Sequence, residues 1–211
     1  MNHSAIRINY DRMSRFYDLF TGSEKQFTEL GLQMLNIQPG EIVLEIGFGT
    51  GQSLIALAHS ASETGKVYGI DLSAGMCQVA NERVSRAGLS SRIDLHLADA
   101  TRLPFRDDLF DAIFISFTLE LFDASEIPLV LGECKRGLHE DGRLGVVALQ
   151  KKECLAVIIY EWFHARLPSI VDCQPIYVRR LIEAAGFEPV NVMEKAMWGL
   201  PVEIITARKH G

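Results

Sequence analysis

The sequence predicts an α/β fold in which helices cover both faces of one doubly wound, mostly parallel sheet. Short apolar segments suited to buried strands alternate along the chain with longer amphipathic segments suited to helices. A glycine-rich turn containing Gly47, Gly49 and Gly51 follows the first apolar segment. Two later strands end at or lead into acidic residues, Asp71 and Asp99. Parallel strands place their carboxyl ends at one edge of the sheet, so these features predict a ligand site there.

Length and composition suit one globular domain spanning residues 1–211. The chain has 211 residues, of which 48% are hydrophobic and 23% charged, values that are ordinary for a soluble protein with a real core. Its formal net charge of −6 argues against a nucleic-acid partner. No apolar run suggests a transmembrane helix or a secretory signal, which predicts a cytoplasmic location. The four cysteines form no metal-ligand pattern, so we expect free thiols and no metal site.

The chain is expected to begin with two helical pieces within residues 5–36, interrupted around residues 21–23. In the first piece, apolar residues that include Tyr10 and Tyr17 recur at helical spacing on one face. One interpretation is a helix that packs this face on the domain. The other is a lid that closes over a bound ligand, with Tyr17 in contact with it.

A cofactor-binding core is predicted over residues 38–150, built from five strands and three connecting helices. The strands are expected at residues 41–46, 66–71, 92–97, 110–115 and 143–149. The helices are expected at residues 52–60, 73–87 and 125–137. Ser73 is a suitable N-cap for the second helix, and Leu129, Val130 and Cys134 are expected to be buried in the third. Asp141 and Gly142 indicate a turn before the fifth strand.

Beyond residue 150 the sequence predicts a second cap element and an antiparallel hairpin. An aromatic helix is expected at residues 155–167, inside a cap insertion at 152–174. A last crossover helix at 175–185 precedes two strands, at 188–195 and 202–208, that flank a turn at 198–201. The whole is then a seven-stranded mixed sheet with a small helical cap, and residues 175–211 supply the last helix and the hairpin.

Several residues at the strand ends are suited to a nucleoside ligand. Asp71 could accept hydrogen bonds from two vicinal ribose hydroxyls, or it could be a solvated loop acid or a helix cap. Asp99 could accept from an adenine amino group while the Ala100 N–H donates to a ring nitrogen; the alternative is an ordinary turn aspartate. Glu45 could accept from the turn amides or from a cationic ligand group. No phosphate-loop lysine follows the glycines, which argues against a nucleoside triphosphate.

Five segments of the core resemble the class I S-adenosylmethionine-dependent methyltransferases. They are VLEIGFGTG (43–51), VYGIDLS (67–73), DATRLPF (99–105), FDAIFISFTLEL (110–121) and ECKRGLHEDGRL (133–144). The resemblance covers roughly residues 38–150 and implies a Rossmann-like fold that binds S-adenosyl-L-methionine and releases S-adenosyl-L-homocysteine.

The resemblance also assigns residues to parts of the cofactor. It implies that Gly47, Gly49 and Thr50 line the methionine and ribose moieties. Asp71 would bind the ribose hydroxyls, and Asp99 with Ala100 would bind the adenine. The residues that complete the expected cofactor site are Tyr17, Glu45, Gly51, Leu72 and Ser116.

Within this family the chain is most similar to the ubiquinone/menaquinone-biosynthesis methyltransferases and their relatives, the type 11 group. The segment YDRMSRFYDLFTG (10–22) carries that similarity, as does ISFTLEL (115–121). Where the quinone enzymes usually have Gly-Leu-Arg-Asn after the fourth strand, this chain has Thr-Leu-Glu-Leu, with Glu120 at the basic position. The similarity implies a small-molecule acceptor. A quinone-type C-methyltransferase, with peripheral membrane contact, and a phospholipid N-methyltransferase are the alternatives.

Methyl transfer is an in-line displacement that depends mainly on placing the nucleophile. Carbon and oxygen nucleophiles usually need a base, and Glu120, Tyr160 and His164 are candidates by residue type; His164 could equally be a partly buried residue of an aromatic helix. One rival is an NAD-dependent oxidoreductase, although its usual G-x-G-x-x-G spacing differs from the G-x-G-x-G found here. Another is a cofactor-binding module without catalysis. The acceptor and the oligomeric state stay open.

Overall fold

The computed structural model describes residues 23–152, residue 157 and residues 174–209 of the chain. The first helical piece of the predicted lid and nearly all of the predicted cap insertion lie outside these residues. Tyr17, Tyr160 and His164 therefore also lie outside them, and the roles expected for these three side chains stay predictions.

One seven-stranded sheet forms the centre of the molecule, in the order β3-β2-β1-β4-β5-β7-β6. The strands are β1 (Ile42–Ile46), β2 (Lys66–Asp71), β3 (Ile93–Leu97), β4 (Phe110–Ser116), β5 (Leu138–Leu149), β6 (Phe187–Met197) and β7 (Leu200–Lys209). Strands β1 to β5 pair in parallel, whereas β7 is antiparallel to both β5 and β6. The predicted mixed sheet with a C-terminal antiparallel hairpin is confirmed.

Helices cover both faces of this sheet. They are α1 (Lys25–Leu35), α2 (Gln52–Ala61), α3 (Ala74–Arg86), α4 (Ile127–Gly137) and α5 (Val178–Ala184). Leu35, Leu54 and Val84 anchor α1, α2 and α3 in one apolar layer. Leu131 and Ile182 anchor α4 and α5 in the layer on the other face. Strands buried on both faces explain the nearly continuous apolar runs of the sequence. None of the helices in the described ranges is long and apolar enough to cross a membrane.

Two turn predictions differ from the structure. The predicted turn at Asp141 and Gly142 is wrong, because β5 runs through both residues. Leu138 pairs with Phe110 and Arg143 with Ala112, so residues 139–142 of β5 form a bulge that the shorter β4 does not match. The hairpin between β6 and β7 turns at residues 198–199 alone, with φ of 51° and 84°, instead of over 198–201.

Two helix predictions also need correction. Leu129 is 56% exposed, whereas Val130 and Cys134 are buried as expected. Helix α4 begins at Ile127, and its 3.6-residue period directs Leu129 away from the sheet. Helix α5 begins three residues later than predicted, because Ile176 forms a parallel bridge with Gln150 beside the sheet.

Candidate functional site

A cavity of about 480 Å³ lies at the carboxyl ends of β1, β2 and β4, where the strand order reverses. Open α/β sheets bind ligands at this point, and the volume is in the range of small-molecule sites. Many residues of the predicted cofactor site share its wall. They are Glu45, Gly47, Gly49, Thr50, Asp71, Leu72, Asp99, Ala100 and Ser116.

The glycine turn after β1 forms one side of the cavity. Gly47 has a φ of +72°, and a Cβ at this position would overlap the side chain of Thr118. Thr118 Oγ1 donates to the Ser116 carbonyl at 2.9 Å and lies 3.3 Å from the Gly47 carbonyl. Gly49 also has a positive φ, of +51°, but a Cβ there would meet nothing within 4 Å. The turn is therefore packed tightly against the end of β4 at Gly47 and open at Gly49.

Gly51, the third glycine, is not among the described residues that line the cavity. It precedes α2 with a φ of +79°, and a Cβ there would lie 2.9 Å from Cβ of Ala80 on α3. The structure thus gives Gly51 a packing role, since it lets α2 and α3 approach each other closely.

Asp71, at the end of β2, joins two turns. Its Oδ2 accepts from the Gly49 N–H at 2.9 Å, and its Oδ1 accepts from the Ser73 N–H at 2.9 Å. Ser73 Oγ in turn accepts from the Met76 N–H at 3.1 Å, which confirms the predicted cap of α3. A carboxylate oxygen can accept more than one hydrogen bond, which suits Asp71 to a ligand that carries hydroxyl groups. Its contact with the glycine turn was not predicted from the sequence.

Asp99 and Ala100 lie beyond β3 on the same wall. Oδ1 of Asp99 accepts from both the N–H and the hydroxyl of Thr101, at 2.9 and 2.8 Å, which makes a tight turn. The loop that follows is held by Arg136, which donates to the Phe105 carbonyl at 2.8 Å. Arg136 also pairs with Glu133 at 2.7 Å, and this hydrogen bond lowers the pKa of the Glu133 carboxyl. The adenine side of the predicted site is therefore a fixed loop.

Glu45 lies beneath the glycine turn and is 2% exposed. Ser53, in the first turn of α2, donates a hydrogen bond to its Oε1. Its Oε2 is buried and accepts no hydrogen bond from any residue in the described part of the chain. Burial raises the pKa of Glu45 to about 8, against the lowering effect of the Ser53 hydrogen bond and with a small further rise from Asp71. At pH 7 this carboxyl is mainly the neutral acid.

Acidic groups outnumber basic groups around the cavity. Among the described residues that line it, the acidic ones are Glu24, Glu29, Glu45, Asp71 and Asp99, and the basic ones are Lys25 and Arg83. Arg83 donates to the carbonyl and the hydroxyl of Thr50, at 2.9 and 2.8 Å. Lys25 lies 3.9 Å from the carboxylate of Glu29. A wall with this balance favours a ligand that carries positive charge.

Helix α1, within the predicted lid, supplies part of the wall that sequence reasoning did not assign. Thr28 Oγ1 and Ser116 Oγ share a hydrogen bond of 2.8 Å, which fixes α1 against the end of β4. Apolar side chains also line the cavity: Leu32, Ile55, Phe117, Leu121 and Phe122. Their sequence signal was too general to separate from core packing, because each also fits a buried helix or strand position.

Glu120, a candidate base, does not lie on the cavity wall as the described residues define it. It is 2% exposed, and its Oε1 accepts from the Leu149 N–H at 3.1 Å. Its own carbonyl accepts from the Gln174 N–H at 3.3 Å. The geometry favours a structural role at the end of β5 over a role as base. In the described ranges no three metal-ligating side chains cluster together.

Comparison with known proteins agrees with this geometry. The methyltransferase domain family matches residues 43–142. A demethylmenaquinone methyltransferase of Lactiplantibacillus plantarum is 30% identical over 165 residues, which cover 77% of this chain and 68% of that protein. The chain belongs to the S-adenosylmethionine-dependent methyltransferases.

Two further relatives support the same family. A ubiquinone/menaquinone biosynthesis C-methyltransferase of Paraburkholderia xenovorans is 34% identical over 151 residues, which cover 70% of this methyltransferase and 58% of the relative. A SAM-dependent methyltransferase from Aquifex aeolicus has a structure that matches with a TM-score of 0.65 and 26% identity, covering 85% of this chain and 88% of the other. The match spans little more than half the length of some curated relatives, 57% and 58% for two of them.

Proposed function

We propose that this methyltransferase binds S-adenosyl-L-methionine in the cavity beside the glycine turn and transfers its methyl group to a small-molecule acceptor. The observation that carries the proposal is the meeting of three features on one wall: an open glycine turn, strand-end carboxylates and a buried carboxyl whose Oε2 accepts no hydrogen bond from the described residues. The ligand offers a group for each carboxyl of this wall. Its ribose hydroxyls and adenine amino group can donate to the strand-end carboxylates, and its net positive charge suits the buried carboxyl.

The residues of the chain act by binding and placement. S-adenosyl-L-methionine, when bound, supplies an electrophilic methyl group on a sulfonium. Asp71 accepts from ribose hydroxyls, and the loop at Asp99 and Ala100 receives the adenine. Gly49 leaves space beside the backbone, since no atom lies within 4 Å of a Cβ built there. Phe117 and Phe122 form an apolar wall that keeps water from the acceptor.

A quinone-type ring is the acceptor class that we favour among the alternatives. The relatives reported above are named for quinone methylation, and the apolar side of the cavity suits a flat hydrophobic ring. Glu120 replaces the basic residue that quinone methyltransferases usually have at this position. The replacement is compatible with this proposal, because the Glu120 carboxyl accepts a hydrogen bond from the Leu149 N–H at the end of β5. Tyr160 and His164 stay candidates for the base. Such an acceptor implies a cytoplasmic protein that touches the membrane surface peripherally and binds no nucleic acid.

The cofactor is tested by thermal unfolding. S-adenosyl-L-methionine and S-adenosyl-L-homocysteine should each raise the Tm, because a ligand that binds only the native state stabilises it by mass action. NAD should leave the Tm unchanged. A shift with NAD and none with either adenosyl compound would refute the proposal.

The acceptor is tested by transfer of a labelled methyl group. We expect label in a reduced, ring-unsubstituted naphthoquinone and none in phosphatidylethanolamine vesicles or in DNA. Label in the phospholipid alone would reject the quinone class while leaving the methyltransferase activity in place. Absence of transfer to any acceptor by a protein that binds the cofactor would favour the non-catalytic module.

A further inference from the structure

Phe117, the first residue after β4, has a backbone conformation that disfavours its side chain. Its φ is +49°, in the left-handed region. A bulky L-residue is rare there, because its Cβ approaches the following carbonyl oxygen too closely. Strained residues of this kind persist only where the surrounding structure holds them, and they are concentrated at functional sites. The strain at Phe117 therefore calls for an explanation in terms of what its ring does.

The strained backbone coincides with a break in the alternation of side chains along β4. Phe114 packs in the apolar layer of α1, and Ile115 packs in the layer of α4. Regular alternation would direct residue 117 to the layer of α4 as well. The Phe117 ring packs instead in the layer of α1, where its centroid lies 6.4 Å from that of Phe27 and the two ring planes meet at 81°. The left-handed conformation thus turns the ring to the α1 side of the sheet.

The residues on both sides of Phe117 hold this conformation. Its own N–H donates to the Val147 carbonyl at 2.8 Å, so the pairing with β5 continues up to the strained residue. The next residue, Thr118, packs against Gly47 and donates to the Ser116 carbonyl at 2.9 Å. The ring is 7% exposed and lines the cavity. Its position in the cavity wall is therefore specified by the backbone as well as by packing.

The strand order places Phe117 away from the nucleoside end of the proposed cofactor site. Asp99 follows β3 and Asp71 follows β2, and these residues are proposed to bind the adenine and the ribose. The glycine turn follows β1, and Phe117 follows β4, the next strand across the sheet. A ligand with its nucleoside at β3 and β2 extends its sulfonium end toward β1 and β4. The Phe117 ring then lies at the end of the cavity where the methyl group meets its acceptor.

We propose that Phe117 is a specificity-determining residue for the acceptor: its ring contacts a flat aromatic acceptor beside the methyl group, and the strained backbone sets the ring there. This inference rests on the function proposed above. Two aromatic rings attract each other beyond the area that they bury, in stacked or edge-to-face geometries that an aliphatic side chain cannot reproduce. Because methyl transfer depends on the placement of the nucleophile, such a contact affects the rate of transfer as well as the binding of the acceptor.

Steady-state transfer to a reduced, ring-unsubstituted naphthoquinone tests the contact. Phe117→Leu keeps an apolar side chain but removes the aromatic ring, so it should lower kcat/KM for this acceptor by about tenfold. The Kd for S-adenosyl-L-methionine, measured by calorimetry, should change by less than about twofold. Phe114→Leu is the matched control, because Phe114 is a buried phenylalanine of the same strand and layer that is not among the described residues lining the cavity. It should lower the urea midpoint but leave kcat/KM unchanged.

A second pair of variants tests the strain and serves also if Phe117→Leu does not fold. Phe117→Ala and Phe117→Gly both remove the ring, so both should lose the acceptor contact. Alanine is ordinarily more stable than glycine in regular structure. At residue 117 the order should reverse, and the glycine variant should have the higher urea midpoint, because only alanine has a Cβ that disfavours a φ of +49°.

The outcomes separate the inference from the proposed function. Wild-type kcat/KM in folded Phe117→Leu would overturn the inference, and so would an equal loss in Phe114→Leu, which would indicate a general effect of core packing. A Kd for the cofactor that rises as much as kcat/KM falls would also overturn it, because the ring would then serve the cofactor. All three results leave the proposed function standing. Failure of the wild-type protein to bind the cofactor or to methylate the naphthoquinol would overturn the proposed function together with the inference.

Discussion

The contact between Gly47 and Thr118 predicts that two neighbouring glycines differ sharply in their tolerance of alanine. Gly47→Ala and Gly49→Ala both introduce a Cβ at a positive φ, of +72° and +51°. This conformation costs an L-residue about 1–2 kcal/mol. At Gly49 nothing lies within 4 Å of the new atom, so this backbone term is the whole expected cost.

At Gly47 the new Cβ overlaps the Thr118 side chain, which must move. Its movement breaks the 2.9 Å hydrogen bond from Thr118 to the Ser116 carbonyl, worth about 1 kcal/mol. Overpacking in a buried contact adds about 1–3 kcal/mol. We therefore expect Gly47→Ala to lower the free energy of unfolding by about 3–6 kcal/mol, against about 1–2 kcal/mol for Gly49→Ala.

Urea unfolding followed by circular dichroism measures both variants. With a slope of about 2–3 kcal/mol/M, the midpoint should fall by about 1–3 M for Gly47→Ala and by about 0.3–1 M for Gly49→Ala. Adding Thr118→Ala to Gly47→Ala should recover part of the loss; recovery stays partial because Cβ of Thr118 itself lies 2.8 Å from the new atom. Equal midpoints for the two single variants would refute the reasoning.

Three further predictions concern the carboxyl groups of Asp71, Glu45 and Glu133. Asp71→Ala should weaken the binding of S-adenosyl-L-methionine by about 1–3 kcal/mol, because charge-assisted hydrogen bonds are lost. Calorimetry measures this affinity, and unchanged affinity in the folded variant would contradict the role of Asp71. Glu45→Gln should raise the free energy of unfolding by about 3 kcal/mol at pH 7 and by much less at pH 5. The pKa of Glu45 is higher in the native protein than in the unfolded chain, so the destabilisation that Glu45 causes grows as the pH rises from about 4.5 to about 8. An effect of Glu45→Gln that did not depend on pH in urea unfolding would contradict this prediction. The pKa of Glu133 is lowered by Arg136, so its stabilising contribution is present above its unfolded pKa and is lost as the pH falls through the native one. Glu133→Gln should accordingly destabilise the protein more at pH 7 than at pH 3, and thermal unfolding at the two pH values checks this.

The parallel core, the C-terminal hairpin and the position of the cavity could be predicted from the sequence. Alternating apolar and amphipathic segments predict which strands and helices form. The glycine turn and Asp71 mark the edge of the sheet at which a ligand binds. The bulge of β5 at residues 139–142 could not be predicted, because Asp141 and Gly142 favour a turn locally. The strand continues through them because Leu138 before the bulge and Arg143 after it both pair with β4.

The side chains of the site divide in the same way. Glu45 could be named from its position just before the glycines, and Asp71 from its position at the end of the second strand. The partners that decide their behaviour could not, because Ser53 reaches Glu45 from α2 and Thr28 reaches Ser116 over 88 positions of sequence. The contact of Gly51 with Ala80 could not be predicted either, since it depends on how α2 and α3 cross. Glu120 has a residue type suited to a base, but its burial against Leu149 follows from the tertiary structure alone.

The carboxylate of Asp71 holds the Gly49 and Ser73 amides in place through two hydrogen bonds that exist within the protein itself. Both turns of the ligand site are consequently preorganised, so binding has little loop entropy to overcome. Association should then resemble insertion into a rigid frame, with rates that vary little among adenosyl ligands and affinities that differ mainly through dissociation. The same bonds tie the geometry of the turn to a residue that also contacts the ligand. A change at Asp71 will therefore loosen the frame as well as remove a contact, and only a comparison of Asp71→Asn with Asp71→Ala can separate the two effects.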